Sequence, residues 1–377
     1  MEPRSKLLTR GTLGTLALAS ALSWVPLSRA TAEPYLALRT GLKCSHCHVN
    51  RTGGGGRNGY GSVWSQTQLP MRTFDVRTRN LASWVAIGLD FRGAFDAALT
   101  SGVEPRTAFA VKESQVQLEA QLIDDILTFY LDQTVEPDRA KAREVFGMAA
   151  WRPLNGYAKV GKFLLPYGWR LWDDQEFIRS ATNFTYATPD VGVEVGIEPG
   201  PLSWAVSVTN GSFSGTESNG AKLVATNAVL TFRRWRVGAS AARNAEPGAR
   251  REIVGAYAGF SVGPLVFLGE TDFVFDSFDD TTSTDRDQVL AFVEGDWLIT
   301  RGLNLKATYG FQDPSASIRA GVGGQPGDQG DRRTRARVGL EAFPVPFVQL
   351  SGFWVRWNEA VDADDRDVIT LEAHVYF

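Results

Sequence analysis

Short stretches in which apolar and polar residues alternate occupy the chain from about residue 81 to its end. The last stretch is the clearest, since Ile369, Leu371, Ala373, Val375 and Phe377 alternate with Thr370, Glu372, His374 and Tyr376. A period of two places the two sets on opposite faces of a β-strand. Strands of this kind, apolar outside and polar inside, are typical of outer-membrane barrels, and the pattern predicts an all-β transmembrane antiparallel barrel of about sixteen strands.

The connections between these stretches alternate in length. Short turns are predicted near 199–201, 233–235, 263–264 and 300–302, and long loops at 166–189, 210–220, 276–287, 313–332 and 358–366. Outer-membrane barrels have short periplasmic turns and longer outer loops. A soluble β-sandwich is the competing fold, and the loop asymmetry favours the barrel. No later segment has the ~18 apolar residues of a transmembrane helix.

Composition and charge agree with this prediction. The net charge of -3 gives no sign of nucleic-acid binding. Hydrophobic residues make up 44% of the chain, an ordinary share that a barrel explains because only alternate residues meet lipid. The 11 Trp and 22 Phe residues suit aromatic girdles at the membrane boundaries.

The N-terminus has the features of a secretory signal peptide, predicted to span residues 1–32. Arg4, Lys6 and Arg10 precede an apolar run over 13–27, and an A-x-A cleavage site follows at 30–32. The mature chain is therefore expected to begin near Glu33, and the barrel is expected in the bacterial outer membrane.

Cys44-Ser45-His46-Cys47-His48 is a C-x-x-C-H motif, the spacing that attaches a c-type haem. It predicts one covalent haem c on Cys44 and Cys47, with His48 as the proximal iron ligand. The alternatives are a disulfide and a zinc site. Zinc usually takes four ligands in two separated pairs, whereas this chain has no other cysteine.

The chain then divides into three parts: the signal peptide 1–32, a monohaem cytochrome c segment 33–80 and a porin-like barrel 81–377. The second part is too short for a core of its own, so it is expected to plug the barrel or to lie at its periplasmic opening. The Gly-rich stretch 53–61 lacks the ending of a phosphate-binding loop. It is either a flexible linker or backbone packed near the haem, and Arg57 is a candidate contact of a haem propionate.

The distal iron ligand has two candidates. Met71 lies in the linker after the motif, and His374 lies on the polar face of the last strand, near its periplasmic end. Met148 and an open or water-bound position are alternatives, and His374 is also readily explained as an ordinary lumen residue.

The residues that lead into the motif carry a family resemblance. Ala32, Pro34, Thr40 and Gly41, followed by the C-x-x-C-H motif, resemble the start of the outer-membrane cytochrome–porin fusions that oxidise ferrous iron. Leu36, Leu38 and Arg39 depart from that family's pattern. The resemblance implies a barrel of about sixteen strands, a single haem c and electron transfer. A second stretch, 161–168, is similar to a segment of phosphate-selective-type porins and supports a porin barrel.

The leading hypothesis is an outer-membrane cytochrome–porin that carries electrons across the membrane. The expected partners are membrane lipid, a periplasmic c-type cytochrome and extracellular Fe(II). Two loops could gather cations through carboxylates: Asp276, Asp279, Asp280, Asp285 and Asp287 in one, and Glu359, Asp362, Asp364, Asp365 and Asp367 in the other. The alternatives are a haem-plugged porin for solutes and the barrel subunit of a multihaem complex. No hydrolytic constellation is present in the sequence.

Overall fold

The computed structural model describes residues 33–75, 77–78, 80–100, 102–136, 139–213, 217, 219–279, 284–319, 331–358 and 365–377. The predicted signal peptide, residues 1–32, lies outside these ranges. So do four of the predicted cation-gathering carboxylates, Asp280, Glu359, Asp362 and Asp364. Within the described ranges, no helix has the length and apolar character needed to cross a membrane.

The described residues form seventeen antiparallel strands. Their bounds are β1 Asn80–Ala82, β2 Val85–Thr100, β3 Arg106–Ile123, β4 Leu127–Glu136, β5 Arg139–Trp151, β6 Gly156–Phe163, β7 Asp190–Ile197, β8 Leu202–Thr209, β9 Leu223–Thr231, β10 Trp235–Glu246, β11 Ala249–Val262, β12 Leu265–Phe278, β13 Arg286–Thr300, β14 Leu303–Ala316, β15 Arg333–Ala342, β16 Val348–Asn358 and β17 Arg366–Tyr376.

Sixteen of these strands close into a barrel. Each strand from β2 to β17 pairs with the next one, and β17 pairs back onto β2, for example at His374↔Arg92. Strand β1 is a three-residue addition beside the start of β2. The predicted antiparallel barrel of about sixteen strands is therefore confirmed.

The predicted alternation of faces is also observed. On β17, Leu371 and Val375 are exposed on the outside, whereas His374 is buried in the lumen. Five exposed tryptophans form an outer band near the short turns: Trp84, Trp151, Trp204, Trp235 and Trp297. Such a band matches the aromatic girdle of a membrane barrel.

Two segments fill the lumen. The first, called the plug below, comprises the described residues 33–75 and 77–78, with helices α1 (Pro34–Thr40) and α2 (Gly59–Thr67) and a 3₁₀ turn at Cys44–His46. Helix α1 ends at Gly41, whose φ of 68° is the left-handed cap that glycine favours. Helix α2 begins after Asn58, whose side chain accepts a hydrogen bond from Gly61 N.

The plug lies inside the short-turn end of the barrel. Lys43 Nζ donates to the backbone oxygens of Glu198 and Leu202, at the turn between β7 and β8 (3.1 and 2.6 Å). On another side, Met71 N donates to the oxygen of Phe343, at the turn between β15 and β16 (2.8 Å). In an outer-membrane barrel the short turns are periplasmic, so this position matches the plug expected from the sequence.

The second segment is the long connection between β6 and β7, residues 164–189, which folds inward and is called the inner loop. The 3₁₀ turn Pro153–Asn155 is not part of this loop, since it connects β5 to β6. The inner loop carries helix α3 (Phe177–Ser180), and Tyr167 OH donates to Asp272 Oδ1 at 2.8 Å. Arg335 Nη2 bonds Asp173 Oδ2 at 2.7 Å. Because Asp272 belongs to β12 and Arg335 to β15, on different parts of the wall, the loop crosses the lumen on the long-loop side of the plug.

Candidate functional site

The C-x-x-C-H motif forms one compact turn. Cys47 N and His48 N both donate to Cys44 O, at 3.1 and 3.0 Å, so the 3₁₀ turn Cys44–His46 ends in an α-type bond. Cys44, Cys47 and His48 all line the same pocket, called the cysteine pocket. The structure thus brings together the three residues that the sequence predicted to hold a haem.

The Gly-rich stretch after the motif is an ordered loop rather than a free linker. His48 and Arg57 form a β-bridge, and Val49 N donates to Gly56 O at 3.0 Å. Gly53 has a φ of 94°, and a Cβ at this position would lie 3.3 Å from Cys44 Sγ. A side chain there would be strained in its backbone and would press on the thiol.

Buried polar contacts fix this loop to the barrel wall. Asn50 is fully buried, donates to Glu144 Oε1 at 2.6 Å and accepts from Lys159 Nζ at 3.0 Å. The backbone N–H of Gly56 donates to Tyr130 OH. Because buried polar groups are costly to leave unpaired, these bonds fix the position of the motif relative to β4, β5 and β6.

The cysteine thiols are reduced and the imidazole of the motif is neutral. Neither cysteine forms a disulfide. Burial and the neighbouring Cys44 raise the pKa of the Cys47 thiol to about 12, so it is protonated. Burial and Arg57 lower the pKa of His48 to about 4, so its ring is neutral at pH 7. His48 is 5% exposed, and within the described ranges no side chain bonds its ring nitrogens, which lie against the backbone of Gly55 and Gly56.

The walls of the cysteine pocket combine aromatic and cationic side chains. Trp169 of the inner loop and Tyr257 of β11 face the plug across the pocket, their ring centroids 4.7 Å apart. Arg236 is 5% exposed, its Nη1 lies 4.0 Å from Cys44 Sγ, and no ion pair of Arg236 appears among the described residues. Arg170 also lines the pocket.

These features fit a covalent haem. Neither thiol is held in a disulfide, so both can form thioethers, and a neutral, buried histidine is the kind of ligand that haem iron takes. The aromatic walls suit an apolar macrocycle, and the buried guanidinium of Arg236, which forms no ion pair among the described residues, suits a carboxylate. When bound, a haem supplies one-electron redox chemistry at this site.

The other predicted haem contacts do not line this pocket. The guanidinium of Arg57 lies 4.2 Å from the ring centre of Tyr376, in a second cavity called the inner cavity. Met71 is 39% exposed and lies beside Phe343, at the turn between β15 and β16. The distal-ligand and propionate assignments therefore stay predictions, with no contact in the cysteine pocket to support them.

His374 is placed by a polar network in the inner cavity. Its Nδ1 lies 2.7 Å from Gln349 Oε1 and its Nε2 lies 2.9 Å from Asp90 Oδ1. Each ring nitrogen thus lies close to a side-chain oxygen, which agrees with the alternative that His374 is an ordinary lumen residue. His48 also lines the inner cavity.

Sequence reasoning missed Trp169, Arg236 and Tyr257. Arg236 and Tyr257 occupy inward positions of β10 and β11, which alternation alone marks as lumen-facing without indicating a ligand pocket. Trp169 lies in a stretch that the sequence indicated only as a long outer loop. No signal in the sequence showed that this loop turns inward.

A further cavity opens on the long-loop side, between the inner loop and β2–β5 and β15–β17, and is called the outer vestibule. Asp173 of the inner loop faces Arg335 and Arg337, which more than offset its burial and lower its pKa to about 2. Burial raises the pKa of Glu176 to about 7 despite its ion pair with Arg335.

The described carboxylates of the two acidic loops are mostly paired with arginine. Asp276 lies 3.3 Å from Arg251 Nε, and Asp287 lies 2.6 Å from Arg319 Nη2. Asp365 and Asp367 both pair with Arg356 at 2.9 Å. Over the ranges that the structure describes, no group of three or more metal-binding side chains is present. These pairs give the predicted cation-gathering role no support.

No protein-family model and no curated protein matches the chain. Solved structures of outer-membrane porins do match its fold. Folded OmpT of Vibrio cholerae, in its trimer form, aligns at TM-score 0.61 and 10% identity, over 78% of this chain and 100% of its own. An anion-selective porin from Comamonas acidovorans aligns at 0.59 and 10% identity, over 78% and 99%.

The outer-membrane channel DcaP of Acinetobacter baumannii aligns at TM-score 0.58 and 15% identity, over 78% of this chain and 97% of its own. At these identities the likeness is one of fold. This chain therefore has the barrel fold of outer-membrane porins.

Proposed function

We propose that the protein is an outer-membrane porin-type barrel that holds one covalent haem c at the short-turn end of its lumen and transfers electrons between the two sides of the membrane. The observation that carries the proposal is the cysteine pocket, where Cys44, Cys47 and His48 meet inside the barrel. The resemblance to cytochrome–porin fusions points the same way and makes Fe(II) the expected outside donor.

The chain's own residues do three things in this proposal. Cys44 and Cys47 tether the macrocycle, and the neutral His48 offers a nitrogen lone pair without first losing a proton. Asn50 and Tyr130 hold the motif against the wall. Residues of the cysteine pocket reach the short turns, where Arg51 Nη1 bonds Asn155 Oδ1 at 3.1 Å. A periplasmic c-type cytochrome would therefore meet the site from this end.

A pyridine haemochrome spectrum of the detergent-extracted protein tests the proposal. The protein is produced together with haem-maturation factors and compared with the variant Cys44→Ala/Cys47→Ala. A c-type band that survives denaturation and is missing from the variant is expected. A folded wild-type barrel without covalent haem would refute the electron-transfer proposal.

The second candidate is a solute channel, and the porin fold favours it directly. The outer vestibule enters the lumen from the long-loop side, and a sixteen-stranded barrel is wide enough for water. In this candidate the plug narrows the other end. Planar-bilayer conductance separates the two functions, since a channel must conduct with the plug in place and an electron conduit need not.

A further inference from the structure

The inner loop separates the two ends of the lumen, and two of its aromatic residues reach both. Trp172 and Tyr186 line the outer vestibule. The same two residues line the inner cavity, together with His48 and Gly54. The long-loop side and the proximal side of the haem motif are therefore linked by these two side chains.

The two rings are in contact with each other and with the plug. The ring centroids of Trp172 and Tyr186 are 5.1 Å apart, at an interplanar angle of 47°. A Cβ on Gly54 would lie 3.1 Å from Tyr186 Cε1, so the Tyr186 ring rests directly on the backbone of the Gly-rich loop. Only glycine allows this approach, and its φ of 81° is a second reason for glycine there.

Cationic side chains hold both rings in place. The guanidinium of Arg92 lies 3.5 Å from the Trp172 ring centre, and that of Arg143 lies 5.3 Å from the Tyr186 ring centre. Both arginines are themselves fixed by Glu113, which Arg92 Nε approaches at 3.3 Å. Cation–π contacts of this kind stabilise and orient aromatic rings at partly desolvated sites.

We propose that Trp172 and Tyr186 form the contact route by which an electron donor in the outer vestibule reaches the haem site. This rests on the proposed electron-transfer function. The donor contacts Trp172 where this side chain lines the outer vestibule, and the route continues through Tyr186 and Gly54 to His48. One electron would leave the donor, ferrous iron becoming ferric, and would pass to the haem that Cys44, Cys47 and His48 would hold; no atom or proton would be transferred.

The test compares reduction from the two sides of a membrane. Proteoliposomes that hold the haem-loaded protein with its long loops outward receive ferrous sulfate outside, and haem reduction is followed by stopped-flow absorbance. The double variant Trp172→Leu/Tyr186→Leu is expected to slow this reduction several-fold. The conservative single variant Trp172→Phe is expected to keep most of the wild-type rate. Reduction by a small c-type cytochrome trapped on the short-turn side, and the midpoint potential, are expected to stay as in the wild type.

Phe184→Leu is the matched control. Phe184 belongs to the same inner loop and stacks on Tyr167 at 4.3 Å, but it lines neither the outer vestibule nor the inner cavity. It should leave outside reduction unchanged. Equal rates in the double leucine variant and the wild type would overturn the proposal, as would an equal slowing by Phe184→Leu.

A thiol-labelling measurement needs no haem. In a Cys44→Ala/Cys47→Ala background, Trp172→Cys should react with a membrane-impermeant maleimide added on the long-loop side, whereas Phe184→Cys should not. Failure of Trp172→Cys to react would refute the vestibule contact itself. Absence of haem from the wild type would instead refute the proposed function, so the two failures are distinguishable.

Discussion

Asn50 links the C-x-x-C-H motif to the barrel wall, and its removal tests how the plug is held. Its amide donates to Glu144 Oε1 at 2.6 Å and accepts from Lys159 Nζ at 3.0 Å. Both partners carry charge and all three side chains are buried. We expect Asn50→Ala to loosen residues 44–58 without unfolding the sixteen strands.

The magnitude follows from the two lost bonds. A hydrogen bond to a charged group contributes about 1.5–3 kcal/mol. The partners keep other contacts, since Lys159 Nζ lies 3.0 Å from Glu194 and Leu164 N donates to Glu144 at 2.9 Å. We therefore expect the lower end of the sum, about 3 kcal/mol. This free energy corresponds to a roughly hundredfold larger equilibrium constant for the opening of residues 44–58.

Hydrogen exchange with mass spectrometry measures this equilibrium by segment. Exchange in 44–58 should accelerate roughly a hundredfold, while that of β4 and β5 stays as in the wild type. The control is Asn80→Ala, an exposed asparagine on β1, which should change nothing in 44–58. Unchanged exchange after Asn50→Ala would refute the reasoning, and so would an equal acceleration over the whole barrel.

Three further outcomes follow from the structure. Gly53→Ala should lower the free energy of unfolding of the loop by about 1–2 kcal/mol, because its backbone is left-handed, and its new Cβ should press on Cys44. A haemochrome assay should then find less haem per folded protein than in the control Gly59→Ala, where a Cβ meets nothing. Because burial raises the pKa of Glu176 to about 7, the folded state favours its protonated form, and stability is lost as pH rises from the ordinary carboxyl range through 7. Hydrogen exchange in 164–189, corrected for intrinsic rates, should therefore be faster at pH 8 than at pH 5, and Glu176→Gln should weaken this pH dependence. Slower corrected exchange at pH 8 than at pH 5 would contradict the prediction. Deletion of 33–79 should raise single-channel conductance in planar bilayers, and equal conductance would show that the plug does not block the lumen.

The sequence by itself determined the barrel and the C-x-x-C-H motif. Alternation with a period of two is a local property, because adjacent side chains of a strand must point to opposite faces. It was therefore readable for Ile369, Leu371 and His374 without knowledge of their neighbours. The C-x-x-C-H spacing is equally local, since one turn of chain places both thiols and His48 together.

Only the tertiary structure decided what surrounds that motif. Arg236 and Tyr257 lie about 190 and 210 residues from Cys44, and they face it because a closed barrel brings its inward positions around one lumen. The inward path of 164–189 depends on contacts such as Tyr167 with Asp272 and Asp173 with Arg335, which are distant in sequence. Local patterns cannot encode which distant wall a loop meets, because that depends on how the whole sheet closes.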